Sequence, residues 1–155
     1  MFQNKSKAMN IFDRLKSGVV TTSAEESQAV AIELANALPE NQVLKLSGTL
    51  GTGKTTFVQG LARGWNIDES VKSPSFNLYS IYQGDRQLVH LDAYRLNHPS
   101  QAEDLLIEEF LKPPFCLAIE WPEKVDGWMD DEAWFLEFSI QDDHSHCIQL
   151  VSSPS

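Results

Sequence analysis

The sequence is poor in cysteine, in basic charge and in long apolar runs. Its 155 residues hold two cysteines, Cys116 and Cys147, both in apolar or strand-like surroundings. That argues against a disulfide framework and fits a reducing, cytoplasmic setting. Twelve Lys and Arg face 22 Asp and Glu, for a formal net charge of −10. Affinity for nucleic acid rests on cationic side chains neutralising phosphates, so tight direct binding of RNA by this chain alone is not expected. No segment approaches the roughly 18–20 apolar residues that span a bilayer. Met1 to Lys16 lacks the continuous apolar core of a signal peptide, so no membrane association is expected.

What is present is a hydrophobic content of 42%, enough to bury a core without staples. Residues 1–18 read as a loose or partly helical, flexible N-terminal segment, residues 19–151 as one domain, and residues 152–155 as a frayed tail. Val19-Val20 suggests the end of a first strand. Thr21-Thr22-Ser23 then offers capping hydroxyls with Glu25-Glu26 in the first turn, and apolar residues at helical spacing run on until Pro39. Val43 to Ser47 reads as a strand and Thr55 to Trp65 as a helix. Leu78 to Tyr82 and Gln87 to Leu91 flank Gly84-Asp85, the pattern of a hairpin. Pro99 through Leu111 reads as a helix with Leu105, Leu106, Phe110 and Leu111 as its stripe. The apolar run Phe115 to Ile119 reads as a buried central strand. Trp134 to Ile140 alternates, and Cys147 to Val151 closes the sheet. This order predicts an α/β fold with a mixed central sheet and flanking helices.

Between the strand at Val43 and the helix at Thr55 lies Gly48-Thr49-Leu50-Gly51-Thr52-Gly53-Lys54-Thr55, which satisfies G-x-x-x-x-G-K-[ST]. The glycines let backbone N–H groups turn inward on phosphate oxygens, and the helix start adds its positive dipole end. Lys54 can reach the β- and γ-phosphates, and the Thr55 hydroxyl can meet Mg²⁺. Thr56 continues the cradle. The expected fold is therefore a P-loop NTPase-like three-layer sandwich, with ATP and Mg²⁺ as cofactors. A P-loop needs an acid near the metal at a strand end. Asp92 and Glu120 each follow an apolar strand and are both candidates.

These residues, with Ser73-Pro74-Ser75-Phe76, His90-Leu91-Asp92-Ala93-Tyr94-Arg95-Leu96 and Ile119-Glu120-Trp121 in that order and spacing, resemble the TsaE (YjeE) family over roughly Thr21 to Val151. The resemblance implies a bacterial ATPase needed for threonylcarbamoyladenosine modification of tRNA beside the anticodon. It implies weak solitary hydrolysis and a partner, the TsaB–TsaD pair, that the ATPase resets between turnovers without performing the transfer itself. It also implies roles: Lys54 holds phosphates, Thr55 and Glu120 ligate Mg²⁺, and Asp92 positions Mg²⁺ or the attacking water. Ser73 and Ser75 would belong to a loop that senses the γ-phosphate, and Trp121 would pack beside the nucleotide. The chain departs from the family's usual pattern at Thr49, where an acid is usual, at Thr52, where alanine is usual, and at Ser75, where threonine is usual.

Other readings differ in what they need. A small-molecule kinase usually carries an arginine-rich lid, whereas Arg14, Arg63, Arg86 and Arg95 do not cluster. A non-catalytic module would bind nucleotide only to hold a complex together. Lys124-Val125-Asp126 has the look of a guanine-reading element, but Glu123 and the Ala93-Tyr94-Arg95 that follows Asp92 argue against GTP. His144-Ser145-His146-Cys147 lacks a second ligand pair for zinc and reads as a solvated loop. Trp65, Trp128 and Trp134 read as packing residues. Tyr94 and Arg95 fit filler or contact with nucleotide or partner equally well. Arg63 and Arg95 are the candidates for stabilising charge in cis, and a partner could supply that charge in trans.

Overall fold

Helix α1 (Ile11–Ser17) begins at an Asn10 cap, and α2 (Ala24–Ala37) begins at Ser23, whose hydroxyl accepts from the Glu26 N–H. Glu26 in turn accepts from the N–H and hydroxyl of Thr22; these bonds hold its carboxyl below the usual range. The computed structural model describes residues 9–74 and 77–154. Between and after these helices run β1 (Val19–Thr21), β2 (Gln42–Ser47), α3 (Lys54–Gly64), β3 (Tyr79–Gln83), β4 (Gln87–Asp92), α4 (Pro99–Glu103), β5 (Phe115–Glu120), β6 (Ala133–Ile140) and β7 (His146–Ser152).

The seven strands form one sheet in the order β1-β7-β6-β2-β5-β4-β3. β6, β2, β5 and β4 run parallel to one another, while β3 and β7 join antiparallel at the two sides and β1 pairs antiparallel with β7. The sheet is thus mixed and covered on both faces, the α/β sandwich expected. Leu44, Leu46, Leu88, Ala118 and Phe138 face Leu34, Phe57, Leu61 and Trp65 of the α2–α3 layer. Val43, Val89, Leu91, Leu117 and Ile119 face Ile107, Val125 and Trp128 on the other side. Burial of β5 along almost its full length follows from this double cover. The β3–β4 hairpin pairs Gln83 with Gln87 around the expected turn.

Three expectations change. The helix expected through Leu111 stops at Glu103; Leu106 takes a left-handed φ of 55° and a 3₁₀ turn follows at Ile107–Glu109. The break buries Ile107 completely and leaves Leu106 outside, so packing overrides the helical pattern. The ordered body also begins before residue 19. Ile11 and Leu15 are buried and Phe12 packs on Trp134, centroids 5.1 Å apart. At the other end, β7 reaches Ser152, paired with Phe135. Trp65 and Trp128 are buried and Trp134 half-buried, as packing residues should be.

Candidate functional site

The register places the ends of three parallel strands side by side. Leu46 of β2 pairs with Glu120 of β5, and Glu120 pairs with Asp92 of β4. Just beyond Leu46, the chain turns through the glycine loop into α3. This is the carboxyl edge of the parallel strands, where α/β sheets present their ligand crevices.

Glycine is required at two points of the loop for different reasons. At Gly48 (φ 147°) an added Cβ would lie 2.6 Å from the Phe138 carbonyl oxygen. At Gly53 (φ 101°) the left-handed backbone caps α3 with no side-chain hydrogen bond, leaving the first N–H groups of the helix for a ligand. The Thr52 hydroxyl donates to the Thr49 carbonyl at 2.7 Å, bracing the loop from inside.

A cleft of about 420 Å³ opens over this edge, lined by Leu50, Gly51, Gly53, Lys54, Thr55, Thr56, Ser73, Asp92, Glu120, Trp121 and His146. Ten of these eleven are sequence-predicted site residues. Gly48, Thr49 and Thr52 instead line an adjoining groove that shares the Trp121 wall. Ser75 lies outside the described residues. Arg63 bonds Gln28 on the α2–α3 surface and Arg95 bonds the Asn77 carbonyl, so neither candidate cation in cis lines the cleft.

Glu120 is 5% exposed and accepts from the Thr55 hydroxyl at 3.3 Å and from His90 Nε2 at 2.6 Å. Burial pushes its carboxyl up, but the His90 imidazole, the Lys54 ammonium and the Thr55 hydroxyl outweigh burial, and the net direction is down. Asp92 Oδ1 accepts from the Tyr94 N–H at 3.0 Å. The Lys54 ammonium donates to the Gly48 carbonyl and lies 4.0 Å from the Trp121 ring centroid. Burial lowers its pKa against the pull of Glu120, Glu123 and Asp92. Trp121 itself has a φ of 58°, a costly conformation for an aromatic residue; Tyr94 packs edge-on against it at 5.0 Å.

Sequence reasoning missed two histidines. His146, expected in a solvated loop, starts β7 and sets its Nδ1 2.9 Å from the Thr52 carbonyl oxygen. His90 stands in the sequence only as one member of the His90-to-Leu96 motif, yet it is fully buried behind Glu120. A lone polar residue inside the apolar run Leu88-Val89-His90-Leu91 was the available signal for His90. For His146 there was none, because its partner is 94 positions away.

A family model described as "Threonylcarbamoyl adenosine biosynthesis protein TsaE" matches residues 21–148. The chain is 37% identical over 106 residues to "tRNA threonylcarbamoyladenosine biosynthesis protein TsaE" of Treponema pallidum, covering 68% of this chain and 78% of that one. The protein of the same name from Rickettsia bellii is 35% identical over 140 residues, covering 89% of this chain and 96% of that one. Among solved structures, "Crystal structure of Bacillus subtilus YdiB" superposes with a TM-score of 0.70 at 30% identity, covering 84% of this chain and 81% of that chain. The glycine loop on the carboxyl edge of a mixed sheet and these likenesses agree: the fold is P-loop NTPase-like, and the chain belongs to the TsaE family of threonylcarbamoyladenosine biosynthesis proteins.

Proposed function

We propose that the protein binds and hydrolyses Mg-ATP in this cleft, and that hydrolysis resets a TsaB–TsaD pair during threonylcarbamoyladenosine formation on tRNA. The observation that carries the reading is the convergence of Lys54, Thr55, Asp92 and Glu120 on one cleft at the start of α3. ATP phosphates would lie on the N–H groups of the loop and the opening turn of α3, where the dipole and the Lys54 ammonium favour negative charge. Trp121 now covers that ammonium, and the phosphates would take over the role of the Gly48 carbonyl. Ser73 stands at the cleft wall, where its hydroxyl would face the bound nucleotide.

The donor set for a metal is one hydroxyl, Thr55, and two carboxylates, Glu120 and Asp92. These are oxygen ligands only, which suits a hard cation that keeps waters and phosphate oxygens in its remaining positions. When bound, Mg²⁺ neutralises charge on the phosphates as the terminal bond breaks. Asp92, half-buried at the cleft, would orient the attacking water. Among the described residues no arginine lines the cleft, so the charge that speeds hydrolysis is assigned to a partner in trans. The net charge of −10 likewise leaves holding the tRNA to partners.

Variants separate turnover from binding. Lys54→Ala removes a charge-assisted contact to phosphate and should weaken ATP binding about 10- to 100-fold by calorimetry. Glu120→Gln and Asp92→Asn should keep nucleotide binding within about tenfold of the wild type yet lose most steady-state hydrolysis. If both carboxylate variants still support modification in a reconstituted system, hydrolysis is not the function and the protein is a nucleotide-dependent module.

A further inference from the structure

Glu120 does not reach the cleft unsupported. His90 lies two residues before Asp92 on β4 and faces the α3 side of the sheet. It pairs in register with Ala118, whose single methyl leaves space for the imidazole to reach diagonally to Glu120, the next residue of β5 on that face. The ring is 0% exposed, Nε2 is 2.6 Å from Glu120 Oε2, and Nδ1 has no partner among the described residues. Burying an imidazole with one nitrogen unpaired is costly, and the preceding residue on the same face, Leu88, is a fully buried apolar core residue, so the imidazole sits in apolar surroundings. Stability alone therefore does not account for a histidine at this position.

What the imidazole supplies is orientation. Glu120 Oε2 accepts from both His90 and Thr55, and Oε1 takes no hydrogen bond among the described residues. Two donors on one oxygen fix the carboxylate plane and leave the second oxygen for the cleft. We propose that His90 is a positioning residue that holds the Glu120 carboxylate, through Nε2–H, in the orientation that receives the metal. This rests on the ATPase reading above. Outer-shell hydrogen bonds to ligating carboxylates typically carry such effects, and their loss costs about 10- to 100-fold in metal affinity or activity.

The test compares two replacements. His90→Gln keeps an N–H donor at the position of Nε2, and His90→Leu fills the space without one. The expected result is a kcat for His90→Gln within about threefold of the wild type. His90→Leu should lose about 10- to 100-fold in kcat, with little change in KM for ATP and no loss of Tm. The Mn²⁺ concentration that half-saturates the ATP-bound protein, read by electron paramagnetic resonance, should rise by a similar factor in His90→Leu only. Equal kcat and Mn²⁺ affinity in His90→Leu and wild type, or failure of His90→Gln to restore what His90→Leu loses, would overturn the proposal. Imidazole ¹⁵N spectra of the nucleotide-free protein give a readout independent of turnover. The proton should reside on Nε2, and the signal should shift in Glu120→Gln. A proton on Nδ1 alone would overturn the proposal as well. If the wild-type protein shows no hydrolysis, the ATPase reading fails, and the Mn²⁺ and ¹⁵N measurements still decide the role of His90.

Discussion

His146 shows how much one side chain can add to a loop built from glycine and threonine. Its Nδ1 faces a carbonyl oxygen, so Nδ1 carries the proton and donates to Thr52, and its ring stands beside Gly53 at the cleft wall. A neutral hydrogen bond of this type contributes about 0.5–1.5 kcal/mol. His146→Ala should therefore weaken ATP binding about 2- to 10-fold in a calorimetric titration; an unchanged affinity would mean that the ring merely fills space. The residues of Gly48 to Thr56, Asp92, Glu120 and Trp121 were legible because their spacing is local and each follows its own strand. His146 was not, because only the antiparallel return of β7 alongside β6 carries it to the loop. Nor did local spacing reveal that Lys54 rests against Trp121, 67 positions further along the chain, a contact made by strand register rather than by sequence neighbours.

Among the elements, the contact between α2 and α3 sets where the loop lysine stands. Gly60 lies on α3 against α2, and a Cβ there would fall 2.6 Å from the Ala31 methyl and 2.8 Å from the Gln28 backbone. Gly60→Ala forces the helices apart and should cost about 1–3 kcal/mol, as overpacking does. At about 2–4 °C per kcal/mol for a domain of this size, the expected loss is several degrees of Tm. An unchanged Tm would show that the helices separate without cost. Strand and helix periodicity was readable in most segments, including the β3–β4 hairpin and the buried β5. It failed at Leu106, where burying Ile107 turned the chain, and at α1, where three apolar residues in a seven-residue helix gave too short a pattern. The buried charge of Lys45 was equally hidden. Its strand reads as apolar, yet the ammonium is satisfied by the Trp128 carbonyl and Asp130, more than 80 residues away.

At the scale of the whole molecule, four parallel strands bring the loop, both carboxylates and the α3 N-terminus to one edge, and the antiparallel strands wall the sheet on either side. The adjoining groove and the 85% exposed Leu50 lie at that same edge, the face from which a partner would approach the nucleotide. If the proposed ATPase reading holds, a cleft with no arginine among the described residues predicts slow hydrolysis alone and faster hydrolysis with a partner that supplies the charge. The most direct test is steady-state ATP hydrolysis with and without the TsaB–TsaD pair, using Lys54→Ala as the blank. The predicted result is slow turnover alone and stimulation of at least about tenfold by the pair, abolished in Lys54→Ala. ATP binding with no stimulation by the pair would contradict the account.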